Sequence, residues 1–157
     1  MYVDIREEDF DLSAEYQALS SECRGAGALI LFVGKVRDLN LNVDSSVQAL
    51  ELSHYKGMTE ATLEEIGAEA QQRWQLSGVR IIHRVGRLCA ADQIVMVAVA
   101  AAHRAEAFLS AEFIMDELKT RAAFWKKEIR EDGTHWLDMK QKDVDRAARW
   151  KQSSVDR

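Results

Sequence analysis

Residues 93–122, QIVMVAVAAAHRAEAFLSAEFIMDELKTRA, contain the change of hydrophobic pattern that decides the fold class. The first part, residues 93–102, is an almost continuous apolar run rich in Val and Ala, which is typical of a buried strand. The remainder, residues 103–122, contains no Gly or Pro and predicts a long amphipathic helix. Four apolar residues of this helix recur at helical spacing: Phe108, Ala111, Met115 and Leu118. A buried strand that leads into such a helix indicates a sheet covered by helices.

The segments on either side alternate between strand and helix patterns. Strands are predicted at 1–6, within 25–37, at 47–55 and at 79–88, and the apolar run within 25–37 predicts that this strand is buried. Helices are predicted at 12–23, 59–75 and 143–150. Either Asp11 or Ser13 can cap the first helix. FWKKEIREDGTHWLDMK reads as a hairpin with Asp132–Gly133 at its turn, and residues 38–46 as a polar loop. Because short loops join neighbouring strands, we predict an α+β fold with a mixed or antiparallel sheet and two long helices.

The composition bounds the class of protein. A length of 157 residues is that of one domain, which we place at residues 1–150, followed by a polar C-terminal tail at 151–157. The net charge of −5 disfavours binding to nucleic acid or to an anionic membrane, because those surfaces attract basic proteins. No apolar run reaches the ~18–20 residues that cross a bilayer, and the acidic N-terminus is unlike a signal peptide. We therefore expect a cytoplasmic protein.

The motifs of several common enzyme classes are missing from the sequence. There is no Walker loop, GxGxxG or GxSxG pattern, and the four histidines form neither HxxxH nor HExxH. A metal site would need long-range assembly of these residues, so we predict no metal and no cofactor. Cys23 and Cys89 are too far apart to indicate a disulfide framework. Cys89 reads as a small core residue near a strand end.

Basic residues concentrate at predicted strand ends and helix ends, where a ligand can meet rigid side chains and free backbone N–H groups. Lys35 and Arg37 end a predicted strand, and His103–Arg104 opens the long helix. Lys119, near the end of that helix, is either a cation that interacts favourably with the helix dipole or a functional group. Lys126–Lys127 are likewise either exposed hairpin charges or site residues.

Six separated motifs occur in one order: FVGKVR, LELSHYKGMTE, IIHRVGRL, AAHRAEAF, FIMDELKTRAAFWKKE and a closing Trp-rich segment. This series resembles the large, catalytic subunit of molybdopterin synthase, and the resemblance extends from about residue 25 to residue 150. It implies an α/β-hammerhead fold, a homodimer of large subunits, and a small ubiquitin-like sulfur carrier at each end. It also implies that the carrier's C-terminal Gly-Gly thiocarboxylate supplies sulfur to cyclic pyranopterin monophosphate (precursor Z), forming the dithiolene of molybdopterin.

The resemblance further implies roles for particular residues. The two catalytic lysines are Lys119 and Lys126. The implied substrate-binding residues are Lys35, Val36, Arg37, His103, Arg104, Lys127, Glu128 and Lys140. Arginine and histidine donors suit a cyclic phosphate, and a lysine can polarise a group or exchange a proton where sulfur replaces oxygen. Burial beside Met115 and other cations should lower the pKa of such a lysine toward the useful range.

Two positions depart from the family pattern, because this chain has Lys56 and Ala123 where the family often has Pro. Ala123 permits the long helix to continue, in which case Lys119 and Lys126 would lie seven residues apart on one helical face.

Two other functions would use the basic residues less fully: a non-catalytic module that binds a phosphorylated small molecule, and a purely structural dimerisation domain. The two lysines favour the enzyme, because binding alone could use Arg throughout.

Overall fold

The computed structural model describes residues 1–37 and 47–152, and this part of the chain contains eight strands and four helices. The strands are β1 (Tyr2–Arg6), β2 (Ala28–Lys35), β3 (Val47–His54), β4 (Gly78–Arg84), β5 (Gly86–Cys89), β6 (Gln93–Ala101), β7 (Phe124–Arg130) and β8 (Gly133–Leu137). The helices are α1 (Leu12–Glu22), α2 (Met58–Trp74), α3 (Arg104–Arg121) and α4 (Gln141–Gln152). The predicted polar loop at 38–46 and residues 153–157 of the predicted tail lie outside the described residues.

The strands form two four-stranded sheets, which confirms the α+β prediction. The first sheet has the order β1-β4-β6-β2, with β1 parallel to β4 and the other neighbours antiparallel. The second sheet has the order β5-β3-β7-β8 and is antiparallel throughout. None of the described helices is both long and apolar enough to span a bilayer.

Strand β6 is central to the first sheet and is covered on both faces. Val95, Val97 and Val99 pack in one cluster with residues of α2 and α3, whereas Met96 and Ala98 pack in another with Leu19 of α1. Alternate residues of a strand point to opposite faces, so a strand covered on both sides needs an uninterrupted apolar run. This explains the sequence pattern of residues 93–102. Asp11 is the cap of α1, since its carboxylate accepts a hydrogen bond from the Ala14 N–H at 3.0 Å.

The prediction of one strand at 79–88 is wrong. The segment is divided between β4 in the first sheet and β5 in the second, and the chain changes direction at Val85 and Gly86. Gly86 has φ +82°, a left-handed conformation that glycine adopts without steric strain. Buried apolar residues continue across the break, with Ile82 and Val85 before Gly86 and Leu88 after it, so the hydrophobic pattern does not reveal the break.

Three expectations about burial are also wrong. Phe108, one of the four apolar residues at helical spacing in α3, is 60% exposed, whereas Ala111 and Leu118 of the same set are buried. Cys89 is exposed at the end of β5, so it is not a core residue. The strand within 25–37 was expected to be buried, but β2 is an edge strand and is mostly half-buried.

The turn from α3 into β7 determines where the two lysines lie. Helix α3 ends at Arg121, and Ala122 is already extended, so the helix does not continue to Lys126. The buried Thr59 hydroxyl donates to the Ala123 carbonyl oxygen at 3.1 Å and accepts the Tyr55 N–H at 3.1 Å. This bond ties the start of α2 to the point where α3 ends.

The hairpin that follows has a loop one residue earlier than predicted. Arg130 pairs with Gly133, which leaves Glu131 and Asp132 as the loop residues and places Gly133 in β8 with φ +126°.

Helix α4 is longer than the predicted segment 143–150 and includes the first two residues of the predicted tail. Its buried Trp150 contacts the rings of Trp74 and Phe113 edge-on, at centroid distances of 5.7 and 5.6 Å. The buried Asp116 of α3 accepts hydrogen bonds from three α4 side chains, Arg146 at 3.0 Å, Arg149 at 2.9 Å and the indole of Trp150 at 2.8 Å. One carboxylate therefore fixes α4 on α3.

We expect Asp116→Asn to lower the free energy of unfolding by about 2–4 kcal/mol, because it replaces a charged acceptor of three hydrogen bonds by a neutral amide. Urea unfolding followed by circular dichroism measures this. The control is Asp145→Asn on the exposed side of α4, which should change stability by less than about 0.5 kcal/mol. Equal stability of both variants would show that Asp116 does not hold the helix.

Candidate active site

Lys119 and Lys126 come together at the junction of α3 and β7. Lys119 lies in the last turn of α3 and is exposed. Strand alternation places Lys126 on the same face of β7 as Phe124 and the buried Glu128, so the ammonium group points inward and is half-buried. Lys119 acts directly on the pKa of Lys126, so the two side chains are neighbours although one is on a helix and the other on a strand.

The environment of Lys126 disfavours its charged form. Burial is the largest cause that lowers its pKa, followed by the positive charge of Lys119 and the hydrogen bond to it. The charge of Lys140 lowers the pKa further, whereas that of Asp143 raises it. The result is a pKa of about 8, so a substantial fraction of Lys126 is neutral near physiological pH. The lysine expected to be buried beside Met115 is Lys119, but Lys119 is exposed, and the lysine with the lowered pKa is Lys126.

A histidine that the sequence analysis did not single out borders the lysine pair. His83 near the end of β4 is buried, and its ring stacks on Phe124 with centroids 3.8 Å apart and an interplanar angle of 17°. Burial, the charges of Lys126 and Lys119 and that of His54 lower the pKa of His83 to about 3. The imidazole is therefore neutral, and its Nδ1–H donates to the Arg84 carbonyl oxygen at 2.8 Å.

His54 also lies near Phe124, with ring centroids 6.5 Å apart. Its Nε2 is 3.2 Å from a carboxylate oxygen of Glu60 in the first turn of α2. Both histidines lie within motifs of the resemblance, IIHRVGRL and LELSHYKGMTE. Their spacing along the sequence does not indicate that both rings lie near the ring of Phe124. That arrangement exists because β3, β4 and β7 converge there from two different sheets.

The structure brings together only some of the other expected substrate-binding residues. Lys140, just before α4, is exposed and acts electrostatically on Lys126. Glu128 is buried on the same face of β7 and is ion-paired with Arg130. Lys127, by contrast, is on the opposite face, where its ammonium group lies 4.6 Å from the ring centroid of Trp136. A contact of Lys127 with the lysine pair within one chain is therefore not supported.

The segment Lys35-Val36-Arg37 divides between surface and core. Lys35 and Arg37 are exposed, whereas Val36 is 4% exposed and packs with Leu52 and Leu88. The side chain of Val36 is thus a core residue and offers a ligand no surface, which corrects its expected role. Because Phe124 packs partly against the same cluster, the core contact of Val36 holds this segment near the start of β7.

His103 and Arg104 are exposed at the N-terminal end of α3, as expected for a helix start. Lys119 is sixteen residues further along the same uninterrupted helix, about 24 Å away along its axis. One chain therefore keeps the His-Arg pair and the lysine pair apart. Among the described residues, no group of three or more His, Cys, Asp or Glu side chains is arranged to hold a metal ion.

Comparison with known proteins gives the family. The sequence profile of the family described as MoaE protein matches residues 5–121. The chain belongs to the MoaE protein family. This confirms the family inferred from the six motifs.

Individual relatives agree over nearly the full length. The molybdopterin synthase catalytic subunit of Vibrio cholerae serotype O1 is 51% identical over 148 residues, which cover 94% of this chain and 97% of the relative. The solved structure of a molybdopterin biosynthesis MoaE protein from Burkholderia ambifaria matches with a TM-score of 0.80 and 52% identity, covering 96% and 98% of the two chains. A complex of subunits 1 and 2 of molybdopterin-converting factor from Helicobacter pylori shares the fold, with a TM-score of 0.72, 18% identity and coverage of 87% and 90%.

Replacing Lys119 by Gln should raise the pKa of Lys126 from about 8 toward the ordinary lysine value of 10.5, because a neighbouring positive charge is removed. An NMR titration of the lysine side-chain ε-carbons measures this directly. Lys56→Gln removes an exposed charge between β3 and α2, and it should leave the titration of Lys126 unchanged. An unaltered pKa in the Lys119 variant would mean that the two amino groups are not adjacent.

Proposed function

We propose that this MoaE-family chain is the catalytic subunit of a molybdopterin synthase, a sulfurtransferase that acts on cyclic pyranopterin monophosphate. The sulfur would come from the C-terminal thiocarboxylate of a small ubiquitin-like carrier. The observation that carries the proposal is the half-buried Lys126 with its lowered pKa beside Lys119. The relative from Vibrio cholerae, with 51% identity over nearly the whole chain, supports the choice of reaction.

The chemistry asks for a group that can both give and take a proton. In the reaction, the anionic thiocarboxylate sulfur replaces oxygen at two pterin side-chain carbons, so each departing oxygen needs a proton. The water that then cleaves the acyl–sulfur bond to the carrier must lose a proton, and it leaves the carrier as a carboxylate. A lysine with a pKa of about 8 has about a tenth of its population as the neutral amine at pH 7, far more than an ordinary lysine has, and the remainder as ammonium. Lys126 is therefore suited to proton exchange, and the exposed Lys119 is suited to polarise the reacting group and to keep the pKa of Lys126 low.

The cyclic phosphate requires cationic hydrogen-bond donors. Lys35, Arg37, Lys140 and the pair His103–Arg104 are exposed and provide them, and guanidinium groups bind phosphate oxygens in a bidentate way. For the sulfur donor, the Helicobacter pylori neighbour is a complex of two different subunits. We extend that arrangement to this chain as part of the proposal, with a carrier whose Gly-Gly terminus reaches the lysine pair.

The direct test combines the purified chain with a thiocarboxylated carrier and cyclic pyranopterin monophosphate. Formation of a dithiolene product, detected by mass spectrometry, supports the proposal. A carrier ending in an ordinary carboxylate is the matched control and should give no product. If the chain binds the pterin tightly but no sulfur is transferred, the non-catalytic binding module is the better description.

Lys119→Ala should reduce turnover by more than tenfold while changing the free energy of unfolding by less than about 1 kcal/mol, since the side chain is exposed. Turnover is measured in the dithiolene assay and stability by urea unfolding. Arg24→Ala is the control, because this exposed cation follows α1, which packs on the opposite face of the first sheet from α3, and it should leave turnover within about twofold. Retention of more than half the original rate in Lys119→Ala would remove Lys119 from the catalytic group.

The distance along α3 indicates that two chains share each site. A tricyclic pterin is only about 10 Å long, less than half the roughly 24 Å between His103 and Lys119 along the helix axis. If both ends of α3 serve one substrate, a two-fold dimer must bring the His103–Arg104 end of one chain to the lysine pair of the other. Homodimerisation is therefore part of the proposed function.

Mixing two inactive variants tests this shared site. His103→Ala and Lys119→Ala chains, allowed to exchange subunits at equal amounts, form about half mixed dimers, and each mixed dimer regains one complete site of two. Activity should return to roughly a quarter of that of the unaltered protein. If native mass spectrometry shows mixed dimers but activity stays absent, both residues act within one chain.

A further inference from the structure

The proposed reaction gives no role to His83, although its position is unusual. It is a histidine on a strand of the first sheet, 7% exposed, in contact with a ring from the second sheet. Its backbone neighbours are the apolar residues Ile5 on β1 and Val95 on β6. An apolar residue would fill such a place without loss of hydration, so the burial of an imidazole here calls for an explanation.

The stack of His83 on Phe124 is a direct contact between the first sheet and the beginning of β7, beside the packing of Phe124 against the core cluster of that sheet. The rings are nearly parallel, with centroids 3.8 Å apart. Phe124 is the first residue of β7, and Lys126 follows two residues later on the same face. A displacement of Phe124 would therefore move Lys126 as well. The backbone immediately before Phe124 is also fixed, because the Thr59 hydroxyl donates a hydrogen bond to the Ala123 carbonyl oxygen.

We propose that His83 is a positioning residue that, by stacking on Phe124, holds the start of β7 against the first sheet and keeps Lys126 half-buried beside Lys119. The imidazole provides a flat ring of the right size to cover the phenyl group. Its Nδ1–H is satisfied by the Arg84 carbonyl oxygen, so the ring orientation is fixed. The significance of His83 for catalysis rests on the proposed function, but its effect on Lys126 does not.

The charges around this junction explain why the ring must stay neutral. Lys119 approaches from α3, Lys126 from β7 and Lys140 from the segment before α4. Among the described residues, the negative charge nearby comes from Asp143 of α4, from Glu60 beside His54, and from Glu128 of β7, which is ion-paired with Arg130. A protonated imidazole would add a buried charge among three cations. Consistent with this, the pKa of His83 is lowered to about 3. Across the working range of pH, the stack is therefore between two uncharged rings.

The experiment measures the reactivity of Lys126 in the isolated protein. Acetylation with an N-hydroxysuccinimide ester is followed from pH 6.5 to 10 by peptide mass spectrometry, and Lys127 in the same peptide serves as internal reference. In His83→Ala the phenyl ring loses its cover, water reaches Lys126, and its apparent pKa should rise by at least one unit. At pH 7.5 this is about a tenfold slower acetylation.

Three variants separate positioning from general destabilisation. His83→Phe keeps a flat ring on Phe124 and should leave the apparent pKa of Lys126 within about 0.3 units. His83→Leu keeps the volume without the stack and should raise it, which gives a result even if the Ala variant does not fold. Ile82→Ala is the matched control, because its buried side chain is on the other face of β4, in the cluster beneath α1.

The outcomes are decisive without substrate or carrier. A pKa of Lys126 that stays near 8 in both His83→Ala and His83→Leu would overturn the proposal, and so would an equal rise in Ile82→Ala. If the pKa rises as expected but the unaltered protein makes no dithiolene product, the positioning role stands and the proposed function fails.

Discussion

The end of helix α3 is the constraint on which the candidate site depends. The chain leaves the helix at Ala122 and enters β7 at Phe124, so only a few residues separate the C-terminal turn of a helix from an inward-facing strand. Lys119 on the helix and Lys126 on the strand become neighbours because of this abrupt change. A helix that continued by two more turns would have separated the lysines by about 10 Å along its axis.

Contacts from three distant parts of the chain keep that turn in place. Thr59 at the start of α2 binds the Ala123 carbonyl oxygen, His83 at the end of β4 stacks on Phe124, and Asp116 fixes α4 on α3. Each contact joins residues that are at least 30 positions apart in sequence. These contacts hold the site in place where the two sheets meet, over the core of the protein.

The position of the site at the boundary of that core also explains its electrostatics. Two lysines in water repel each other weakly, because solvent screens them and hydrates each ammonium group. Beside a stack of aromatic rings, hydration of Lys126 is reduced and the repulsion from Lys119 is less screened, so its charged form loses stability. The same surroundings act more strongly on His83, which is buried more completely and stays neutral.

The sequence by itself determined the features that rest on local pattern. The continuous apolar run of β6, the uninterrupted helix α3 without Gly or Pro, and a capping residue at the start of α1 are set by residues close together in the sequence, and the structure has all three. For the cap, the sequence left Asp11 and Ser13 open, and the structure has Asp11. The six motifs also predicted the family correctly, because a family can be identified from the order of its sequence motifs without knowledge of their positions in the fold.

Tertiary structure alone decided which side chains face one another. Phe108 has helical spacing but is exposed, and Val36 lies between two exposed basic residues but is buried. His83 lies within a family motif, but the sequence analysis did not single it out. The break between β4 and β5 does not show in the sequence, because buried apolar residues continue on both sides of it. Burial and proximity depend on partners far along the chain, and a local pattern shows that a face is apolar without showing what covers it. The physical reason is that hydrophobic packing is non-directional, so the same stretch of sequence fits many partners until the whole core is assembled.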